Sequence, residues 1–145
     1  MRALPPRAFA ACAVVLLTAA CASPEREREE SRQAVVSWTA SANWAAAAWA
    51  ANQAPIAYAQ DAVDLAAEAL RKERERLARR TAEPGNERAS LADAVQRLDG
   101  LYEAAKELAD ALRHADRPTV RRILDELPRL QQEFSDRARR ANAGR

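Results

Sequence analysis

The sequence is poor in the residues that most enzyme sites are built from. Its two cysteines, Cys12 and Cys21, both lie near the N-terminus. No disulfide can therefore staple the rest of the chain, and no thiol remains there to serve as nucleophile or metal ligand. His114 is the only histidine, which rules out an HExxH zinc site or the paired Glu-x-x-His motifs of di-iron bundles. With three glycines there is no GxGxxG turn and no P-loop to cradle a phosphate. Runs of β-branched residues are nearly absent, so strands have little to build on. Ser37, Ser41 and Ser90 have no base at motif spacing. No catalytic residue and no metal site is expected, and the chain reads as non-enzymatic.

What the chain does have is Ala, Glu, Arg and Leu, a composition of helices. Its 145 residues allow one domain. The expected fold is all-α: a small antiparallel bundle of four helices, or of three with a long, kinked first helix.

One stretch, Ala34–Gln60, carries no charge although 30% of the chain is charged. It holds all three tryptophans among many alanines. Val35, Trp38, Ala42, Ala45, Trp49, Asn52, Ile56, Ala59, Val63, Ala66 and Leu70 step by three and four, the seam of a helix packed as in a coiled coil. A second line, Trp44, Ala48, Ala51, Pro55, Tyr58, Ala62, Leu65 and Ala69, runs along another side. A helix apolar on two sides is expected to be buried on two sides. Bundle core is the plain reading. A sharper one makes Trp38, Trp44, Trp49 and Tyr58 a partner surface or an apolar ligand pocket. Asn43, Asn52, Gln53 and Pro55 make the stretch a poor membrane span. Pro55 inside a helix would cost about 3 kcal/mol, so a break at Asn52-Gln53-Ala54 is expected, with Pro55 opening the next helix. An unbroken helix would need a homodimer to cover it.

The later helices carry simpler seams. RKERERLARR (Arg71–Arg80) ends the second with cations, which suits a helix C-terminus; a patch for anionic lipid is the alternative. Pro84-Gly85 marks a loop, and Asn86 or a Ser90-x-x-Asp93 capping box can start the third helix. Leu91, Val95, Leu98, Tyr102, Ala105, Ala109 and Leu112 form its seam, with Asp93–Arg97 and Glu103–Lys106 outside. Gly100 within it is expected to admit a tryptophan ring from the first helix. Pro118 starts the last helix, whose face is Val120, Ile123, Leu127, Leu130 and Phe134. Pro128 should kink or split it, and Ser135–Arg145 should fray. His114 is expected to pair with Asp110 at the surface, and Asp61, Asp64 and Glu68 to form a solvated acidic stripe.

The N-terminus is organised differently. Arg2 and Arg7 precede a short apolar run, Ala8–Ala20, and small residues precede Cys21. This is the pattern of a secretory signal peptide. Leu17-Thr18-Ala19-Ala20-Cys21 resembles the lipobox of bacterial lipoproteins, with Thr18 where Leu is usual. The resemblance covers residues 1–21 only. It implies export, cleavage between Ala20 and Cys21, a diacylglyceryl group on the Cys21 thiol and an acyl chain such as palmitate on the new amine. Two or three chains make stable anchoring. Ala22, being non-acidic, implies the outer membrane, facing the periplasm. No cofactor is expected beyond this covalent lipid.

The organisation that follows is 1–20 cleaved signal, 21–30 lipidated N-terminus and charged spacer, 31–140 bundle, and 141–145 tail. Ser23-Pro24-Glu25 reads as a helix start. Loss of Arg2 and Arg7 leaves 21 basic against 21 acidic residues, a neutral mature chain with no electrostatic footprint for nucleic acid. The expected partners are the membrane, through the anchor, and another protein.

Overall fold

The computed structural model describes residues 24–81 and 88–143. Cys21, the cleavage position at Ala20, Ser23 and the Pro84-Gly85 loop lie outside them. Four helices follow one another: α1 (Pro24–Ala50), α2 (Ile56–Thr81), α3 (Arg88–Arg113) and α4 (Arg117–Ala143). The chain divides into two units, Met1–Glu30 and Ser31–Arg145. Of the first, only Pro24–Glu30 is described. There the Arg26 Nε donates to Glu30 at 2.9 Å, an i,i+4 pair on the helix surface. All that follows concerns the second unit.

The break before Pro55 forms as expected. α1 stops at Ala50, and the chain turns through Asn52, which takes the left-handed conformation at φ 59°. The Asn52 amide donates to the Trp49 carbonyl at 2.9 Å and the Gln53 amide to Ala48 at 2.8 Å. This paired closure is a Schellman motif, which satisfies carbonyls that the helix end leaves open. α3 ends the same way. The Ala115 amide donates to Leu112 at 3.1 Å and Asp116 to Ala111 at 2.8 Å, with Ala115 at φ 53°. Asp116 then caps α4. Its carboxylate accepts from the Thr119 amide at 3.2 Å and the Thr119 hydroxyl at 2.6 Å. Arg117 and Pro118 occupy the first turn, where the missing proline N–H costs nothing.

Cross-helix pairs fix the topology. Asp64 meets Arg113 at 3.1 Å, and Arg74 meets Asp99. As one residue number rises its partner's falls, so α2 and α3 run antiparallel. Ser31 bonds Glu73, and the rings of Trp44 and Tyr58 meet, which sets α1 against α2 in the same sense. Arg122 with Glu107, and Gly100 beside Leu130, do so for α3 and α4. Arg117 on α4 returns to Ala50 at the end of α1. The result is an antiparallel four-helix bundle.

The first seam is the core. Val35, Ala42, Ala45, Trp49, Ala59, Val63, Ala66 and Leu70 are buried, as are Leu98, Leu101, Leu108, Leu112, Val120, Ile123, Leu127 and Phe134. Burial of each such leucine contributes roughly 1.5–3 kcal/mol. Thr39 is buried among them because its hydroxyl donates to the Val35 carbonyl at 2.8 Å.

Several local expectations need correction. The second apolar line is only partly covered: Ala48 is buried and Ala62 and Ala69 half-buried, but Trp44, Ala51, Pro55, Tyr58 and Leu65 face outward. Periodicity shows that a face is apolar, not that a neighbour covers it. Gly100 faces Leu130, whose Cδ2 lies 4.0 Å from where a Cβ would sit, and no tryptophan approaches it. Ser90 is the third residue of α3 and does not cap it. α4 runs unsplit through Pro128 and continues past Phe134 to Ala143. Arginine and alanine sustain it there, since both are good helix formers.

Candidate functional site

The outer faces of α2, α3 and α4 carry charge, and much of it is paired. Arg71 donates to Glu68 at 2.7 and 2.8 Å and also pairs with Glu75. The hydrogen bond from Arg71, with the charges of Arg71 and Lys72, holds the Glu68 carboxyl down at about 2 against the opposing effect of desolvation. Arg76 pairs with Glu73 at 2.6 Å. Burial pushes the Glu73 carboxyl up, but bonds from Arg76 and Ser31 outweigh it and the net shift is downward. The basic end of α2 is thus largely tied into ladders. Asp64 of the acidic stripe engages Arg113, which also holds Asp110 at 2.6 Å and lowers its carboxyl. Because Arg113 takes that carboxylate, the His114 Nδ1 meets the Asp110 backbone carbonyl instead, at 2.8 Å. Asp93 pairs with Arg97, and Lys106 with Glu103 at 3.0 Å, as their spacing suggested.

A groove of 460 Å³ runs between α3 and α4 beside Gly100 and Leu130. Gly100 lines it without a side chain. Its walls hold Glu103, Glu107, Asp110 and Glu126. Each of these meets a cation, namely Lys106, Arg122, Arg113 and Arg122 respectively. Among the described residues no three His, Cys, Asp or Glu side chains are grouped to hold a metal ion. No described helix is long and apolar enough to cross a membrane.

α1 differs from the other three helices. From Gln33 to Ala50 its exposed residues are Gln33, Ala34, Ser37, Ala40, Ser41, Trp44 and Ala47, none of them charged, and Ala51 just past its end is exposed as well. Trp44 is 63% exposed. Its ring stands edge-on to Tyr58 of α2, centroids 6.2 Å apart and planes at 89°. Tyr58 is 48% exposed and Leu65, two turns further along α2, is 57% exposed. Together they form a largely apolar, aromatic strip along the α1–α2 hairpin, interrupted on α2 by the exposed Asp61 between Tyr58 and Leu65. Soluble surfaces rarely leave such a patch uncovered without a use for it.

The four aromatic residues marked in the sequence therefore separate. Trp38 is half-buried against the core and Trp49 is 6% exposed within it. Trp44 and Tyr58 lie outside and touch. The sequence reading missed Arg117. Its guanidinium stacks on Trp49 with 4.6 Å to the ring centre, and it donates to the Ala50 carbonyl at 2.9 Å and the Asn52 Oδ1 at 2.7 Å. No local signal points to this contact, because it spans 67 residues of sequence.

Comparison with known proteins finds no family model, no curated protein and no solved structure that matches the chain.

Proposed function

We propose that the protein is a lipid-anchored helical module of the bacterial cell envelope, acting without catalysis by presenting the outer face of α1 to a protein partner. The observation that carries this reading is the strip of Trp44, Tyr58, Leu65 and the exposed alanines between Gln33 and Ala51, uncharged along α1, on an otherwise charged bundle. Leaving such a strip in water forgoes roughly 25 cal/mol per Å² that a partner would recover. The lipobox-like end at Cys21 supplies the address: attachment through acyl chains to the outer membrane, with the bundle in the periplasm. No cofactor enters this function. An apolar ligand held among all four rings draws less support, because two of them pack into the core and two face out.

The reading is tested by intact mass of the protein from isolated membranes. The expected mass lacks residues 1–20 and carries acyl groups, and Cys21→Ser abolishes both changes. An unlipidated wild-type chain would overturn the anchoring. Anchored protein that cross-links to nothing through Trp44 or Ala47 would overturn the interaction role.

A further inference from the structure

We infer that the occupant of the α1 strip is a second copy of this chain. The inference rests on the interaction role proposed above and names the partner at that site. Three features favour a copy. First, the strip holds both halves of a contact. Trp44 is a large knob, while Ala40, Ala47 and Ala51 on the same face are exposed small residues that leave room for one. A two-fold contact needs the same patch to supply both. Second, the exposed α1 residues from Gln33 to Ala50 carry no charge, so the α1 parts of two identical faces meet without like-charge repulsion, and Asp61 on the α2 edge is the one charge that a two-fold contact has to leave at its rim. A basic or acidic partner would find nothing to pair with on α1. Small residues also let two helix backbones approach closely, which a bilayer surface does not require.

Third, the area fits a weak dimer. Eighteen residues of helix span about 27 Å, and α1 with the adjoining edge of α2 is about 20 Å wide. That offers roughly 500 Å² per copy, or about 1,000 Å² in all, near the lower limit for specific interfaces. The free chain is then monomeric when dilute, and confinement of anchored copies to one surface raises their effective concentration. Asp61, exposed between Tyr58 and Leu65 on α2, has to stay at the wet edge of the contact whether a copy or a bilayer covers the strip, so the cross-linking below separates the two.

Cysteine cross-linking of the full chain in the envelope of a bacterial host tests this. Ala47→Cys should give a cross-linked species with the mass of two chains. Asp125→Cys, exposed on α4, and the unsubstituted chain, whose acylated Cys21 leaves no free thiol, should not. Adding Trp44→Glu or, on α2, Leu65→Glu should weaken association by about tenfold or more, since each brings like charges together across the contact. Both positions are exposed, and an unchanged melting temperature checks the fold. Equal yields from Ala47→Cys and Asp125→Cys would overturn the inference. Ala47→Cys adducts to a different protein, without self-adducts, would overturn the second copy and leave the interaction module standing. Absence of any adduct, with Trp44 fluorescence quenched by brominated lipid, would assign the face to lipid and overturn both.

Discussion

The guanidinium of Arg117, on the first turn of α4, lies 4.6 Å from the centre of the Trp49 ring near the last turn of α1. The contact joins the two helices furthest apart in sequence. Arg117 also closes the end of α1, because the Ala50 carbonyl and the Asn52 side chain both accept from it. Hydrogen bonds of this kind contribute about 0.5–1.5 kcal/mol each, and a partly exposed cation–π contact about 0.5–1 kcal/mol. Arg117→Ala is therefore expected to lower stability by about 1–3 kcal/mol. Arg117→Lys should recover only part of that, since an ammonium lacks the planar fork that reaches two acceptors while stacked. Thermal melts followed by tryptophan fluorescence read both. A melting temperature unmoved by Arg117→Ala would mean the contact carries no energy.

Ala115 sits in the left-handed region at φ 53°, at the position of the α3 Schellman closure where glycine is usual. An L-residue with a Cβ is strained there by roughly 1–2 kcal/mol. Part of the gain from removing that strain is offset by the greater freedom of glycine in the unfolded chain. Ala115→Gly should stabilise the bundle by about 0.5–1 kcal/mol. The expected result is a higher urea midpoint at an unchanged m-value. A lower midpoint would show that the turn does not hold this conformation in solution.

Gly100 gives the converse case. It lies inside α3 with ordinary helical φ, and a Cβ there would meet only Leu130 Cδ2 at 4.0 Å, a normal van der Waals distance. Glycine in a helix interior costs roughly 0.5–1 kcal/mol relative to alanine. Gly100→Ala should stabilise by that amount and fill part of the groove beside α4. Destabilisation on urea denaturation would mean that α3 and α4 approach more closely than 4.0 Å allows.

These cases mark what the chain discloses as sequence. The seam from Val35 to Leu70 is legible because a step of three and four places its residues on one helix face, and most of them, though not Asn52 in the break, are buried or half-buried. Pro55 predicts the break because a proline has no N–H to give. The exposure of Trp44 and Tyr58 is not legible in the same way. Their spacing matches that of a buried line, and only the placement of the other helices decides which apolar side is covered. Arg117 and Leu130 act on Trp49 and Gly100 across tens of residues, beyond any local pattern. Ala115 at positive φ runs against its own propensity and gives no signal at all.

The ion-pair ladders set how the bundle responds to acid. Glu68 is held at about 2 by the Arg71 bond, against an ordinary value of 4.5. Asp110 is lowered by its bond from Arg113 and Asp116 by the Thr119 hydroxyl and amide. Glu73 is lowered too, despite its burial. A carboxylate depressed in the folded state binds fewer protons than in the unfolded chain at any pH between its two values. Its contribution is thus present in full above the unfolded value and is lost as pH falls through the folded one. The melting temperature should hold steady from neutral pH to about 5 and decline from there towards about 2. Glu68, Asp110 and Asp116 are solvent-facing, so each contributes little, and added salt should flatten the acid slope. Glu73→Gln, at the half-buried position bridging Ser31 and Arg76, should remove a larger share of that slope than Glu68→Gln. A melting temperature independent of pH down to 2.5 would show that the ladders do not persist in solution.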